Sequence, residues 1–254
     1  MLSRVAGAAP NARRWVCLAS LLLAPSPAWA IRPFVTDDAR VVGARGAQLE
    51  TWLRLDRNAL QHWVLPAFGP HERVELTLGG VYGTTLAGGR AFSATGPLFQ
   101  AKLLLRRMPE RLGFPGVAMV LGGVPPLHVG GFGATGWDGF GYLALTESLR
   151  PHDHFLVHAN VGFYATTAAV EHPLALTWGV GTQLHLWRDL YGVAELFSGD
   201  PYAGASGGSM QGGVRYLLSH AVQLDTTVGA GLWGQPAQAP WGSVGLRIAG
   251  DGLW

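Results

Sequence analysis

The sequence predicts an all-β chain: a closed antiparallel up-and-down transmembrane β-barrel of about twelve strands. Three observations carry that expectation. First, the last third of the chain alternates with a step of two. Leu174, Leu176, Trp178, Val180, Leu184 and Leu186 fall on one side, and Ala175, Thr177, Gly179, Gly181, Gln183 and His185 on the other. Val214, Tyr216 and Leu218 alternate with Gln211, Gly213 and Arg215, and Val244, Leu246 and Ile248 with Ser243, Gly245 and Arg247. Successive side chains leave a pleated backbone on opposite faces, so a period of two means strands. Second, charged residues make up only 13% of the chain and there are 37 glycines. A soluble sandwich needs a charged solvent face, and soluble domains average about 25% charged residues. Third, the connections between runs alternate between very short turns and longer Gly/Pro-rich loops, the asymmetry of outer-membrane barrels.

Residues 1–30 read as a secretory signal. Arg4, Arg13 and Arg14 supply the positive end, Trp15–Ala24 is an apolar run too short to span as a helix, and Ala28-Trp29-Ala30 is a cleavage site. Cleavage near Ala30 removes the only cysteine, Cys17, and with it any disulfide or cysteine metal site. It also removes three arginines and no acid, so the basicity of the full sequence belongs largely to the signal. Nucleic acid is not the implied partner. The mature domain, 31–254, is expected in the bacterial outer membrane. Its expected partners are outer-membrane lipid, the barrel-assembly machinery and a small-molecule solute.

Residues 31–47 are polar and precede the first strand. Arg32-Pro33-Phe34-Val35-Thr36-Asp37-Asp38-Ala39, followed by Gly46 and Gln48-Leu49-Glu50, resembles the opening of the MetA-pathway of phenol degradation family. Glu72-Arg73-Val74-Glu75-Leu76 and Val193-Ala194-Glu195-Leu196 resemble later strands of that family. The chain departs from the family pattern at Arg40 and in its ending, Ala249–Trp254. The resemblance implies an outer-membrane transporter, with small aromatic or apolar compounds as the substrate class.

The strands are expected at 47–56, 61–68, 72–82, 98–107, 115–124, 137–147, 154–165, 174–187, 190–198, 209–218, 221–233 and 241–250. The short turns, such as Arg188-Asp189 and Ser219-His220, would face the periplasm. Thr84–Pro97, Pro125–Gly136, Thr166–Pro173, Gly199–Gly208 and Gly234–Pro240 would face outward. Trp52, Trp63, Trp137, Trp187, Trp233 and Trp241 lie near strand ends, where interfacial girdles would place them.

Chemistry finds little footing. His154 and His158 are four residues apart on one strand, about 13 Å, too far to share an ion, and no metal or cofactor is expected. Ser219-His220 are neighbours that point to opposite faces on extended backbone, so no hydrolase pair is expected. The Gly-rich stretches around Gly122, Gly130 and Gly207 lack the helix and lysine of a phosphate loop. No catalytic residue is assigned.

The remaining readings are a passive channel or transporter, a barrel with a filled lumen acting as a structural or interaction protein, and a lipid-modifying enzyme of the outer membrane. Taking the apolar step as the lipid face sends Glu50, Glu75, Lys102, Glu195, Arg215, Asp225 and Arg247 inward. Counted from the short-turn ends they lie at a similar height, as a belt of alternating sign with Glu50 beside Arg247 and Glu195 beside Arg215. Arg32, Asp37 and Asp38 are expected at the periplasmic mouth, tucked into the lumen as a partial plug. Gln183 and His185 share the inner face with Glu195 only if the turn between them holds an odd number of residues.

Overall fold

The computed structural model describes residues 34–108, 113–133, 135–168, 174–200, 207–234 and 239–252. The signal, its cleavage site, Arg32 and Trp254 lie outside the described residues.

The strands are β1 (Ala47–Asp56), β2 (Ala59–His71), β3 (Val74–Thr85), β4 (Ala91–Arg106), β5 (Gly116–Val124), β6 (His128–Val129), β7 (Asp138–Arg150), β8 (Phe155–Thr166), β9 (Leu174–Trp187), β10 (Leu190–Ser198), β11 (Gly208–Leu217), β12 (Val222–Trp233) and β13 (Trp241–Gly250). All pairings are antiparallel. The twelve long strands form a ring: β1 pairs with β13 from Ala47↔Gly250 to Asp56↔Trp241, and β3 pairs with β4. Closure gives every long strand two neighbours, so no row of backbone N–H and C=O groups meets hydrocarbon.

The outer wall is apolar. Leu53, Leu78, Phe99, Leu121, Val161, Leu176, Val180, Val228 and Val244 are exposed, while their odd-step neighbours turn inward. Glycine lets strands and side chains crowd inside: a Cβ on Gly229 would sit 2.3 Å from the Trp241 ring.

Three expectations change. The expected loop 84–97 is mostly strand, because β3 and β4 stay paired out to Thr85↔Ala91. Pro97 is tolerated because the register shifts between Gly79 and Val81, where a missing N–H removes no ladder bond. Within the expected loop 125–136, β6 folds back on β4 (Ala94↔Val129) and the Gly131 N–H donates to Ser93 Oγ at 2.9 Å. This turns Phe132 into the barrel, where it packs with Trp63, Val81 and Leu98. Finally, Trp63 and Trp241 are buried rather than part of a girdle, and Trp52 stacks on Trp63 at 5.3 Å and 4°. Trp137, Trp187 and Trp233 are exposed at strand ends.

Candidate functional site: the lumen and the segment that crosses it

The inner wall has two characters. From β2 to β7 it is largely apolar, with Trp63, Leu65, Val81, Leu98, Val120 and Phe140 buried. From β9 round to β1 it is mainly polar, with Thr177, Gln183, Gln211, Gln223, Thr227 and Gln48 buried beside Val193, Phe197 and Trp241. Strands such as β2 are apolar at both parities, Leu60, Val64 and Phe68 outward against Trp63, Leu65 and Ala67 inward. A period-two reading alone cannot tell which set meets lipid.

Residues 34–42 lie inside the short-turn half of this barrel. Thr36, Asp37, Asp38, Ala39 and Val41 are all buried. The Val35 and Thr36 N–H groups donate to the two Glu195 carboxylate oxygens on β10, at 2.7 and 2.8 Å. On the other side, the Val42 N–H donates to Glu75 Oε2 on β3 at 2.9 Å. Between these anchors the Ala39 N–H donates to Thr146 Oγ1, and Tyr142 donates its hydroxyl proton to Asp37 Oδ2 at 3.1 Å. The Asn160 amide, oriented to satisfy both its ends, accepts from the Asp37 N–H and donates to the Asp37 carbonyl. A segment tied to β3, β7, β8 and β10 crosses the bore. The space left between Thr36 and the wall at Tyr142, Asn160 and Phe197 is about 10 Å³, room for one water at most.

The charges of the segment are met within it or by the wall. Lys102 Nζ, fully buried on β4, lies 2.8 Å from Asp37 Oδ1 and 3.7 Å from Asp38 Oδ1. Arg40 folds back on Asp38 at 2.8 Å and reaches Asp153 at the β7–β8 turn at 3.2 Å. Burial pushes the Asp38 carboxyl up, but Arg40 and Lys102 beside it outweigh burial and hold it at about 2.

All seven inward charges expected from the sequence are buried. Three opposite-sign pairs stand directly across a strand boundary: Glu50↔Arg247, Glu75↔Lys102 and Arg215↔Asp225. Arg247 Nε lies 3.9 Å from Glu50 Oε1 and donates to Gln48 Oε1 at 3.0 Å. The expected pairing of Glu195 with Arg215 does not occur. Glu195 faces Gln211, which donates to it, and Arg215 faces Tyr191, four residues or roughly 13 Å further along β11. Counting up from each strand's end ignored the stagger between neighbouring strands, which only the ladder fixes. Glu195 therefore serves the segment. The parity condition at the β9–β10 turn is met by a register shift between Leu190 and Tyr191, which leaves Gln183 opposite Val193 and His185 opposite Tyr191.

Several residues that touch the segment were given no role there by the sequence. Phe34 lies 5.3 Å from the His158 ring and 5.6 Å below the Arg215 guanidinium. His158 is buried on β8, its Nδ1 paired with Thr146 Oγ1 at 3.0 Å. Gly179 and Gly181 keep the wall open there: a Cβ would come within 2.3 Å of Thr36 Oγ1 and 3.2 Å of the Phe34 ring. Their only sequence signal was membership of the inward step. At the rim His154 stacks on His185 at 4.5 Å, with His152 5.9 Å from His154, separate from His158. Ser219 Oγ accepts from the Ala221 and Val222 N–H groups, which makes it a turn residue.

Comparison with known proteins places the fold. The model of a family described as "Uncharacterised conserved protein UCP029691" matches residues 18–249. That description does not name the phenol-degradation family, which stays a resemblance at the quoted residues. No curated protein sequence matches the chain. Among solved structures, the KdgM porin in complex with disordered oligogalacturonate superposes with a TM-score of 0.57 at 9% identity, covering 79% of this chain and 98% of that one. The COG4313 outer membrane channel from Pseudomonas putida F1 gives 0.56 at 11% identity, covering 84% and 97%. The NanC porin gives 0.52 at 9% identity, covering 82% and 100%. At such identities the likeness establishes the outer-membrane barrel fold.

Proposed function

This chain belongs to the UCP029691 family, and we propose that it acts as an outer-membrane channel for small apolar or aromatic molecules, with residues 34–42 as a displaceable plug. The observation that carries this reading is a bore with a largely apolar inner wall from β2 to β7, closed at its short-turn half by one segment of the chain itself. A wide aqueous pore for sugars or ions would have no use for Trp63, Leu65, Val81 and Leu98 turned inward. The shared fold with the KdgM and NanC porins and the COG4313 channel supports the channel part of this reading and not its substrate class. In it the chain is exported, loses its signal near Ala30, is inserted by the barrel-assembly machinery, and meets outer-membrane lipid along its exposed wall. The resemblance to the phenol-degradation family points to the same substrate class.

The dense ties of the segment favour a second reading, a filled barrel acting as a structural or interaction protein. Single-channel conductance and liposome swelling, with and without residues 32–40, separate the two. A channel opens on deletion and passes small aromatic solutes faster than sugars of equal size. A structural barrel stays closed or fails to assemble. A lipid-modifying role finds no support at Ser219, which is engaged in its own turn.

A further inference from the structure

The berth of Phe34 contains more polar capacity than Phe34 uses. Arg215 is 1% exposed and spends Nη1 on Gln183, yet its Nε and Nη2 have no hydrogen-bond partner among the described residues. His158, also 1% exposed, spends Nδ1 on Thr146 and leaves Nε2 without one. Both groups lie against the phenyl ring of Phe34, which offers them only carbon, and Asp225 across the strand boundary balances the Arg215 charge without taking a hydrogen bond from Nε or Nη2. A buried polar atom left unpaired costs about 1–3 kcal/mol, and two such groups on one apolar ring are poorly explained by the ring alone. The wall around them is built for a flat guest. Gly181 stands against the ring, and any side chain there would press into it, its Cβ 3.2 Å from a ring carbon.

We propose that this berth is a ligand subsite for an aromatic carboxylate, which Phe34 occupies as a tethered competitor. The ring of the guest takes the place of the Phe34 ring between His158 and Gly181. Its carboxylate accepts from Arg215 Nε and Nη2, the two adjacent donors of a guanidinium that match a carboxylate's two oxygens. His158 Nε2 pairs with a ring substituent or a water carried in with the guest. The competitor is attached to the segment that closes the bore, so ligand binding and displacement of the segment are one event. The inference rests on the channel reading for its purpose, but not for its test, because binding and permeation are measured separately.

The test uses the purified full-length mature protein in detergent, its folded state checked by unboiled migration in SDS. Benzoate, cyclohexanecarboxylate and phenol are titrated against the wild type and Phe34→Ala, read from the thermal unfolding midpoint and from ligand-observed NMR. Emptying the berth makes benzoate bind about tenfold more tightly than in the wild type, with cyclohexanecarboxylate and phenol weaker than benzoate by a similar factor. Adding Arg215→Gln to Phe34→Ala abolishes benzoate binding. Should that variant not fold, Gly181→Val on the same background fills the berth without touching a charge and has the same effect. Three results overturn the proposal: no benzoate binding to folded Phe34→Ala, equal binding of cyclohexanecarboxylate, or benzoate binding that survives Gly181→Val. Benzoate that binds but does not cross liposomes refutes the channel and leaves the subsite standing, whereas benzoate that crosses without binding refutes the subsite.

Discussion

Lys102 and Asp37, 65 positions apart in the chain, meet at 2.8 Å where both are buried, which ties the segment before β1 to the fourth strand of the barrel. Removing one partner of such a pair leaves the other buried with its charge unmet, a far larger effect than the net worth of the pair. Lys102→Met should therefore lower stability by about 3–5 kcal/mol in urea unfolding followed by tryptophan fluorescence. Combining it with Asp37→Asn and Asp38→Asn should recover much of the loss. A Lys102→Met protein as stable as the wild type would mean that the two aspartates are not held at Lys102.

Glu195 holds the segment through two backbone N–H groups, and a glutamine in its place offers one acceptor oxygen and no charge. Hydrogen bonds to charged groups contribute about 1.5–3 kcal/mol. Glu195→Gln should loosen residues 34–36 without unfolding the wall, and is expected to raise single-channel conductance and speed exchange of the Val35 and Thr36 amides. Slow amide exchange at the wild-type rate would count against this anchor.

The register makes opposite forecasts for two charge pairs. Glu50 and Arg247 are direct neighbours across the β1–β13 boundary, so a double-mutant cycle of Glu50→Gln and Arg247→Gln should show coupling of about 0.5–3 kcal/mol. Glu195 and Arg215 are offset by four residues, so their cycle should be additive to within about 0.5 kcal/mol. Strong coupling in the second cycle would contradict the observed ladder.

Asp38 gives the docked segment a dependence on acid. Its carboxyl sits at about 2 in the folded protein, below the ordinary value of 3.8. A depressed carboxylate stabilises the folded form above the unfolded value and loses that contribution as pH falls through the folded one. The segment should stay docked at pH 5 and above and weaken between about pH 4 and 2, by about 2 kcal/mol in all. Segment release, followed by protease cleavage near Arg40 after pH jumps, should track that window in the wild type and flatten in Asp38→Asn. Release that follows the same pH course in Asp38→Asn as in the wild type would overturn the assignment to Asp38.

The sequence by itself determined the barrel. Period-two runs, scarce charge and alternating connection lengths can be satisfied together only by a closed sheet in lipid, and β1, β9, β10 and β13 run where the alternation begins and ends. It also determined that the seven charged residues turn inward, because parity along a strand is a local property. What it could not supply was the height of one strand against the next. Glu195 and Arg215 look alike when counted from their own strand ends, and only the hydrogen-bonded ladder shows that one faces Gln211 and the other Tyr191. The apolar inner wall was hidden for a related reason: β2 is apolar on both faces, and closure alone decides which face is inside. The berth of Phe34 was further out of reach, since it joins residues from β8, β9 and β11 to a segment that belongs to none of them. Those residues become neighbours only when the sheet curls round the segment, so no spacing in the chain records the contact.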